Sequence, residues 1–312
     1  MRDLAETPVK EADACDPRRT LLLELLHSGL ARVHGRHCVA TALAGKALPA
    51  PVWVAAIGKA ATAMARGAHE ALGQAIERTL LITREREDLT GFPAGTTPEV
   101  WLGSHPLPDE RSLAAGARLL GWVDELPVGV WPLFLISGGA SSLVEVPAAG
   151  ATLEDLAALT RLSFSSGMAI GELNARRAAL SRIKGGRLAA RLSGRAALAL
   201  FVSDVPQDDP RVIGSGLMGP AAGGDSVERQ VVASVDHAVT AVAARAVQLA
   251  SPRMHRASAL RTAPNGSRRD SRTSCTWERR SCAHGAGNRP CSCPCGPAEV
   301  AATSTWRSPP RG

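Results

Sequence analysis

A loop rich in glycine and serine, residues 137–142, has residue types that suit the binding of an anionic ligand. It reads Ser-Gly-Gly-Ala-Ser-Ser and directly follows Leu133–Ile136, an apolar segment that predicts a buried strand. Glycines let the backbone approach a ligand closely, and hydroxyls and backbone N–H groups can bind its oxygens. We expect a phosphate or carboxylate cradle, with a plain turn as the alternative, formed by Ser137, Gly138, Gly139, Ala140, Ser141 and Ser142.

A lysine follows the first predicted strand, Val52–Ile57, at the point where Gly58 ends it. The residues from Lys59 to Leu72 predict a helix, so the Lys59 ammonium could bind a phosphate held at the start of that helix. The alternative is a solvated lysine in the first helical turn. The P-loop pattern Gly-x-x-x-x-Gly-Lys-Ser/Thr is absent.

Charged and amide side chains are dense on a helix predicted from about Gly167 to Ile183. Spacings of three or four residues place several of them on common faces, namely Glu172 with Arg176, and Asn174 with Arg177 and Ser181. Arginine or lysine in this region, including Lys184 just beyond it, would bind phosphate or carboxylate oxygens. A solvated helix face is the alternative.

Three aspartates follow another predicted strand, residues 196–202, and they are Asp204, Asp208 and Asp209. Carboxylates just past a strand end are natural Mg²⁺ ligands, or can act as a general base for a hydroxyl. Taken alone, the Asp-Asp-Pro sequence at residues 208–210 is typical of a turn.

Strands and helices alternate along the body of the chain. Further helices are predicted after Asp16-Pro17 and over residues 109–120, 152–164 and 231–249, and a further strand over residues 79–83. This alternation predicts an α/β fold, a Rossmann-like and largely parallel sheet with helices on both faces.

Charge and composition separate the chain into a body, residues 1–250, and a tail, residues 251–312. The net charge of +7 comes from the tail, where residues 252–312 carry eleven arginines and three acidic residues. The rest holds 25 basic and 26 acidic residues, which argues against a nucleic-acid partner. No apolar run reaches membrane-spanning length and the first residues are charged, so we expect a cytoplasmic protein without a membrane partner.

Several short motifs, in their order along the chain, resemble the glycerate 2-kinase family, whose C-terminal part is called the MOFRL domain. Some members are labelled hydroxypyruvate reductase. The resemblance covers roughly residues 20–249 and is carried by these segments: Gly58-Lys59-Ala60, Ser104-His105-Pro106-x-Pro108-Asp109, the loop at residues 137–142, Glu172-x-Asn174, Leu180-Ser181-x-x-Lys184-Gly185-Gly186, Ser203-Asp204-Val205, Asp208-Asp209-Pro210 and Gly214-Ser215-Gly216.

The resemblance implies ATP-dependent phosphorylation of glycerate, with Mg²⁺, in a cleft between two α/β domains. By position, Lys59 and Asp204 would be catalytic, and Asp208 and Asp209 would bind the metal. The loop at residues 137–142 would bind substrate or phosphate, as would Glu172, Asn174, Arg176 and Lys184. A homodimer is a candidate assembly.

The tail departs from the family because it lacks a Gly-Gly-Glu strand and a Gly-Arg-Gly-Gly-Arg-Asn-Gln segment. With suitable synonymous codons, residues 296–311 translated in a shifted frame spell a run close to that missing segment. We therefore expect a frameshift soon after Leu249, and a disordered basic tail at residues 251–312 in place of the second α/β domain. The rival hypothesis is a zinc site, built on Cys291, Cys293 and Cys295.

Two other functions are also compatible with the sequence. One is an NAD(P)H-dependent hydroxypyruvate reductase, although no Gly-x-Gly-x-x-Gly segment directly follows a predicted strand with an acidic residue about 20 positions on. The other is an inactive remnant that still binds small anions, which would follow if the missing arginine segment is needed for phosphoryl transfer.

Overall fold

Parallel strands form the centre of the fold. The computed structural model describes residues 16–93 and 95–251, and six strands within them build one sheet. The strands are β1 (Val52–Ile57), β2 (Ile76–Thr83), β3 (Glu99–Leu102), β4 (Trp131–Ile136), β5 (Ala197–Val202) and β6 (Val227–Ala233). Their order across the sheet is β3-β2-β1-β4-β5-β6, and every neighbouring pair is parallel. This is the order of a doubly wound Rossmann-type sheet.

Helices connect these strands and cover the sheet. Within the described residues they are α1 (Pro17–Arg32), α2 (Gly35–Leu43), α3 (Ala61–Leu72), α4 (Glu110–Asp124), α5 (Ala140–Leu143), α6 (Leu153–Ser166), α7 (Ile170–Ala179), α8 (Arg187–Arg191) and α9 (Val235–Ala250). Three of the predicted helix starts are confirmed by their caps. The carboxylates of Asp16 and Asp109 and the hydroxyl of Thr152 each accept a first-turn N–H.

Both faces of the sheet are buried, which explains the nearly continuous apolar strand sequences. All six residues of β1 are buried. Trp53 and Ile57 belong to a core that includes residues of α4 and α8, whereas Val54 and Ala56 belong to a second core with residues of α2 and α3. The predicted α/β fold, with helices on both faces of a largely parallel sheet, is therefore confirmed.

Two predicted helices were wrong in their bounds. Residues 231–249 were expected to be one helix, but Val231–Ala233 completes β6, which pairs with β5, and α9 begins only at Val235. Valine and alanine fit either structure, so the apolar pattern could not separate strand from helix. The helix predicted over residues 167–183 ends at Ala179, because Ser181 bridges to Pro147 instead.

The remaining predictions about the tail lie outside the described residues. They are the disordered segment, the frameshift, the loss of the second domain and the alternative zinc site at residues 291–295. Residues 16–251 belong to a single compact unit. Among the helices within these residues, none has the length and apolar character that crossing a membrane requires.

Candidate functional site

The loops that leave β1 and β4 lie side by side. In this strand order β1 and β4 flank the point where the chain winds off in opposite directions, and ligands of open α/β sheets bind there, beyond the carboxyl ends of the strands. The Lys59 N–H donates to the Gly138 carbonyl oxygen (2.9 Å), and the Ala60 N–H donates to Ser137 Oγ (3.0 Å). These two bonds fix the lysine-bearing turn against the serine loop.

Glycine is required at Gly58 and Gly138 for close approach. Gly58 has φ +131°, and a Cβ atom there would lie 2.2 Å from Ser137 Oγ. A Cβ atom at Gly138 would lie 2.2 Å from a carboxylate oxygen of Asp204, which follows β5. Both distances are far below van der Waals contact, so the Asp204 carboxylate lies directly against the backbone of the loop.

The side chains of Lys59 and His105 flank the next glycine. A Cβ atom at Gly139, which has φ +89°, would lie 3.1 Å from Lys59 Cγ and 3.3 Å from His105 Cδ2. Lys59 is solvent-exposed and His105 is half-buried. The loops after β1, β3, β4 and β5 thus bring an ammonium, an imidazole, a glycine backbone and a carboxylate together.

A pocket of about 340 Å³ opens beside this cluster. Its lining includes His105, Gly138, Gly139, Ser141, Ser142, Asn174, Arg177 and Asp204. The backbone N–H groups of Gly138 and Gly139 find no acceptor within residues 16–93 and 95–251. Unpaired amides of this kind suit an anionic oxygen.

Arg177 adds a permanent positive charge to the pocket. Its Nη2 donates to Thr160 Oγ1 (3.3 Å), and no carboxylate of the described residues lies within 4 Å of its guanidinium. Burial lowers the pKa of Arg177, while attraction to the Glu145 carboxylate raises it. An arginine remains protonated despite such a shift, so Arg177 is a half-buried cation available to an anionic ligand.

His105 is shifted toward its neutral form. Partial burial lowers its pKa, as do the positive charges of Lys59 and Arg84, while the Asp204 carboxylate acts in the opposite direction. A neutral imidazole offers one donor and one acceptor. His105 can therefore exchange a hydrogen bond with a ligand without adding charge.

Asn174 and Ser141 are held by Ser215, which lies in a turn between β5 and β6. Ser215 Oγ is 2.9 Å from Asn174 Oδ1 and 3.0 Å from Ser141 Oγ, and Asn174 Nδ2 donates to the Val212 carbonyl oxygen (3.4 Å). This network orients two polar side chains that line the pocket.

Lys184 lies in a buried ion pair and is not among the residues that line the pocket. Its side chain is 1% exposed, and its ammonium donates to the Glu145 carboxylate and to the Val144 carbonyl oxygen. Glu145, equally buried, also accepts a hydrogen bond from Ser181. Two of its three donors are used in these contacts, so Lys184 helps to hold the structure together, and its role in binding a ligand stays a prediction.

Glu172 and Arg176 also differ from expectation. They form an ion pair (2.6 Å) on the surface of α7, where both side chains are about half exposed. Neither residue lines the pocket. The helix instead directs Asn174 and its neighbour Arg177 inward. Ser137 and Ala140 belong to the loop but are buried, and the Ser137 hydroxyl is used by the Ala60 N–H.

The aspartates assigned to metal binding are not at the pocket lining. Asp209 accepts hydrogen bonds from the backbone and side chain of Arg211, and Asp208 lies in a 3₁₀ turn over residues 206–208. Among the described residues there is no group of three or more potential metal ligands. Magnesium at phosphate sites commonly uses only one or two carboxylates, so the assignment of Asp208 and Asp209 stays a prediction.

Comparison with known proteins assigns the chain to a family. Residues 21–266 match the family described as a domain of unknown function, DUF4147. The chain belongs to this family. Within it, the resemblance to glycerate 2-kinases is confirmed by the relatives described next.

Three relatives illustrate the similarity. The D-glycerate 2-kinase of Thermotoga maritima is 40% identical over 167 residues, 53% of this chain and 39% of that protein. A putative hydroxypyruvate reductase of Agrobacterium vitis is 40% identical over 159 residues, 51% of this chain and 40% of the relative. The crystal structure of a glycerate kinase from Thermotoga maritima superposes with a TM-score of 0.66 at 29% identity, over 75% of this chain and 63% of that one. The matched region thus spans about two fifths of each curated relative.

Proposed function

We propose that this DUF4147 chain is a glycerate 2-kinase, which transfers a phosphoryl group from ATP to a hydroxyl of glycerate with the help of Mg²⁺. The observation that carries the proposal is the convergence of Lys59, the free amides of Gly138 and Gly139, Arg177 and Asp204 beside one pocket. The pocket lies at the sheet position where α/β folds bind phosphorylated ligands.

The chemistry of phosphoryl transfer matches this set of groups. The transferred group spreads negative charge over its oxygens, so catalysis depends mainly on positioning and charge neutralisation. Lys59 is the exposed cation next to the loop and would neutralise phosphate charge. Arg177 would bind the carboxylate of the acid substrate, since guanidinium and carboxylate can pair through two hydrogen bonds.

Asp204 supplies the carboxylate of the site. No hydrogen bond or ion pair engages its oxygens within the described part of the chain, so it is free either to accept the substrate hydroxyl proton or to bind a cation. Free carboxylate oxygens are hard donors that fit Mg²⁺, and Asp208 and Asp209 are the further candidates. Bound Mg²⁺ would offset phosphate charge.

A coupled assay of ADP formation from ATP, Mg²⁺ and D-glycerate tests the proposal. We expect turnover that falls by about 100-fold or more in Lys59→Met and in Asp204→Asn, the scale of losing one electrostatic group at a reacting centre. Lys46→Met is the matched control, because Lys46 pairs with Glu228 (2.7 Å) at the start of β6, away from the carboxyl ends of the strands. Turnover that survives Lys59→Met would contradict the assignment.

Hydroxypyruvate reduction is the second candidate, favoured by the names of two Agrobacterium vitis relatives. Dinucleotide-binding sheets carry Gly-x-Gly-x-x-Gly at the first strand-to-helix turn, and here that turn is Gly58-Lys59-Ala60. The spacing does occur at Gly214–Gly219, but that segment precedes a strand and not a helix. Oxidation of NADH or NADPH by hydroxypyruvate is the test, and turnover there without ADP formation would favour the reductase.

The third candidate is an inactive remnant that binds anions. Calorimetric titration with glycerate and with MgATP separates it from both enzymes. Binding of either ligand without turnover in the two assays would identify the remnant.

A further inference from the structure

Ser215 occupies a backbone conformation that suits glycine better than serine. It stands between Gly214 and Gly216, and the three residues have φ of +60°, +58° and +71°. A side chain in this left-handed region is strained. The Ser215 side chain is nevertheless 1% exposed and hydrogen-bonded. A hydroxyl held in an unfavourable conformation beside a pocket points to a role for that hydroxyl.

The neighbours of Ser215 determine where its single proton goes. Asn174 Nδ2 is the atom that faces the Val212 carbonyl oxygen, because a carbonyl can only accept. The other amide atom, Oδ1, therefore faces Ser215, and it too can only accept. The Ser215 hydroxyl must donate its proton to Asn174.

This assignment leaves Ser141 with one arrangement. Its oxygen lies 3.0 Å from Ser215 Oγ, whose proton is already used. The Ser141 hydroxyl consequently donates to Ser215, and no other described residue donates to its remaining lone pairs, which leaves them to a ligand in the pocket that Ser141 lines. In this orientation Ser141 accepts hydrogen bonds and does not donate them to the ligand.

We infer that Ser215 is a positioning residue that fixes Ser141 as the acceptor for a hydroxyl of the acid substrate. The site then distinguishes a hydroxy acid from an acid that lacks this hydroxyl, because an unsatisfied lone pair penalises the deoxy compound. The anionic groups are left to Arg177 and to the amides of Gly138 and Gly139. This inference rests on the proposed function insofar as it takes an acid substrate for the pocket.

Residues of the serine loop then have different roles. An oxygen whose proton is directed away repels an anionic oxygen, so Ser141 does not belong to the anion cradle. Ser141 recognises a hydroxyl of the ligand, whereas the glycine amides of the same loop recognise its negative charge.

Calorimetry on the full chain tests whether Ser215 fixes Ser141 as a hydroxyl acceptor. The probes are D-glycerate, 3-hydroxypropionate and D-lactate, and each of the last two lacks one hydroxyl of glycerate. We expect the wild type to bind D-glycerate more tightly than at least one of them. That preference should fall by about 3- to 10-fold in Ser141→Ala, the scale of one neutral hydrogen bond. The preference for D-glycerate should also fall in Ser215→Gly, which removes the hydroxyl and relieves the backbone strain.

The double variant Ser141→Ala/Ser215→Gly separates positioning from folding. If Ser215 acts through Ser141, adding Ser215→Gly to Ser141→Ala produces no further loss of preference. Equal weakening of all three acids by Ser215→Gly, or additive losses of preference, would overturn the inference while leaving the kinase proposal intact. If the wild type binds none of the acids, both the inference and the proposed acid substrate fail, whereas tight but non-selective binding contradicts the inference alone.

Discussion

Two adjacent arginines on α7 show how much a single residue step changes a side chain's role. Arg176 is exposed and paired with Glu172, whereas Arg177, one step of about 100° around the helix, lines the pocket. An exposed ion pair contributes little energy, while a half-buried cation without a carboxylate partner attracts an anion strongly. The family resemblance pointed to Arg176, whereas helical spacing grouped Arg177 with Asn174, and the structure favours Arg177.

Substitution of each arginine by methionine compares the two positions. We expect Arg177→Met to raise the KM for glycerate by about 10- to 100-fold, because a charge-assisted hydrogen bond to the carboxylate is lost. Arg176→Met should change KM by less than about twofold. Steady-state kinetics measures both, and the reverse ranking would restore Arg176 as the substrate-binding residue.

At the scale of elements, buried and partly buried ion pairs fix the segments that surround the pocket. Lys184 and Glu145 connect the segment after α7 to the segment after α5, and Asp225 and Arg229 pair near the start of β6. Such pairs are costly to bury but more costly to break, because removing one partner leaves an uncompensated charge. They hold in place the chain segments that present Asn174, Ser215 and the serine loop.

Lys184→Met is expected to lower the free energy of unfolding by about 3–5 kcal/mol, since the Glu145 carboxylate is left buried without its counter-charge. The double variant Glu145→Gln/Lys184→Met should recover part of this loss. Urea denaturation measures both. If the losses of stability in Lys184→Met and in Glu145→Gln alone simply add up in the double variant, the result would argue against the ion pair.

Asp225 should make the protein sensitive to acid. Its carboxylate accepts hydrogen bonds from Arg229 and from two backbone N–H groups, and these lower its pKa from 3.8 to about 2, mainly through Arg229. The folded state thus binds fewer protons than the unfolded state, so the contribution to stability is present above about pH 4 and is lost as the pH falls toward 2.

The variant Asp225→Asn tests this pH dependence. At pH 7 it should be less stable than the wild type by about 2 kcal/mol, the equivalent of the pKa shift. The difference should shrink between pH 5 and pH 3. A difference that is the same at both pH values would show that Asp225 acts through its hydrogen-bond geometry and not through its charge.

At the scale of the whole molecule, close packing of the layers leaves no room for extra atoms at a few glycines. Helices α2 and α3 cover one face of the sheet together, and a Cβ atom at Gly67 on α3 would lie 2.2 Å from the Arg36 carbonyl oxygen on α2. Backbone cannot give way as a flexible side chain can. The helix layer must shift if Gly67 is enlarged.

Gly67→Ala is therefore expected to destabilise the fold by about 1–3 kcal/mol, the usual cost of overpacking. Gly121→Ala on α4 is the matched control. Its Cβ atom would have no neighbour closer than 3.5 Å, so the higher helix propensity of alanine should stabilise by up to about 1 kcal/mol. Thermal or urea unfolding distinguishes the two, and equal effects would contradict the packing argument.

Sequence patterns predicted the fold more completely than the site. The strand Val52–Ile57 has the bounds that its apolar run and Gly58 indicated, and Asp109 and Thr152 cap the helices they were expected to cap. These features depend on neighbours within a few residues. The strands β3 and β6 were missed, because pairing with distant strands decides them.

The candidate site likewise has features that the sequence predicted and features that it did not. The sequence by itself determined that Lys59, the glycines of the serine loop and Asp204 stand at strand ends, because strand and helix alternate in a regular manner. Only the tertiary structure decided that Arg177 and not Arg176 lines the pocket, that Lys184 is buried with Glu145, and that Ser215 orients Ser141. Spacing along a helix groups side chains on a common face, but which face lines a pocket and which side chains are buried depend on contacts between segments far apart in the chain.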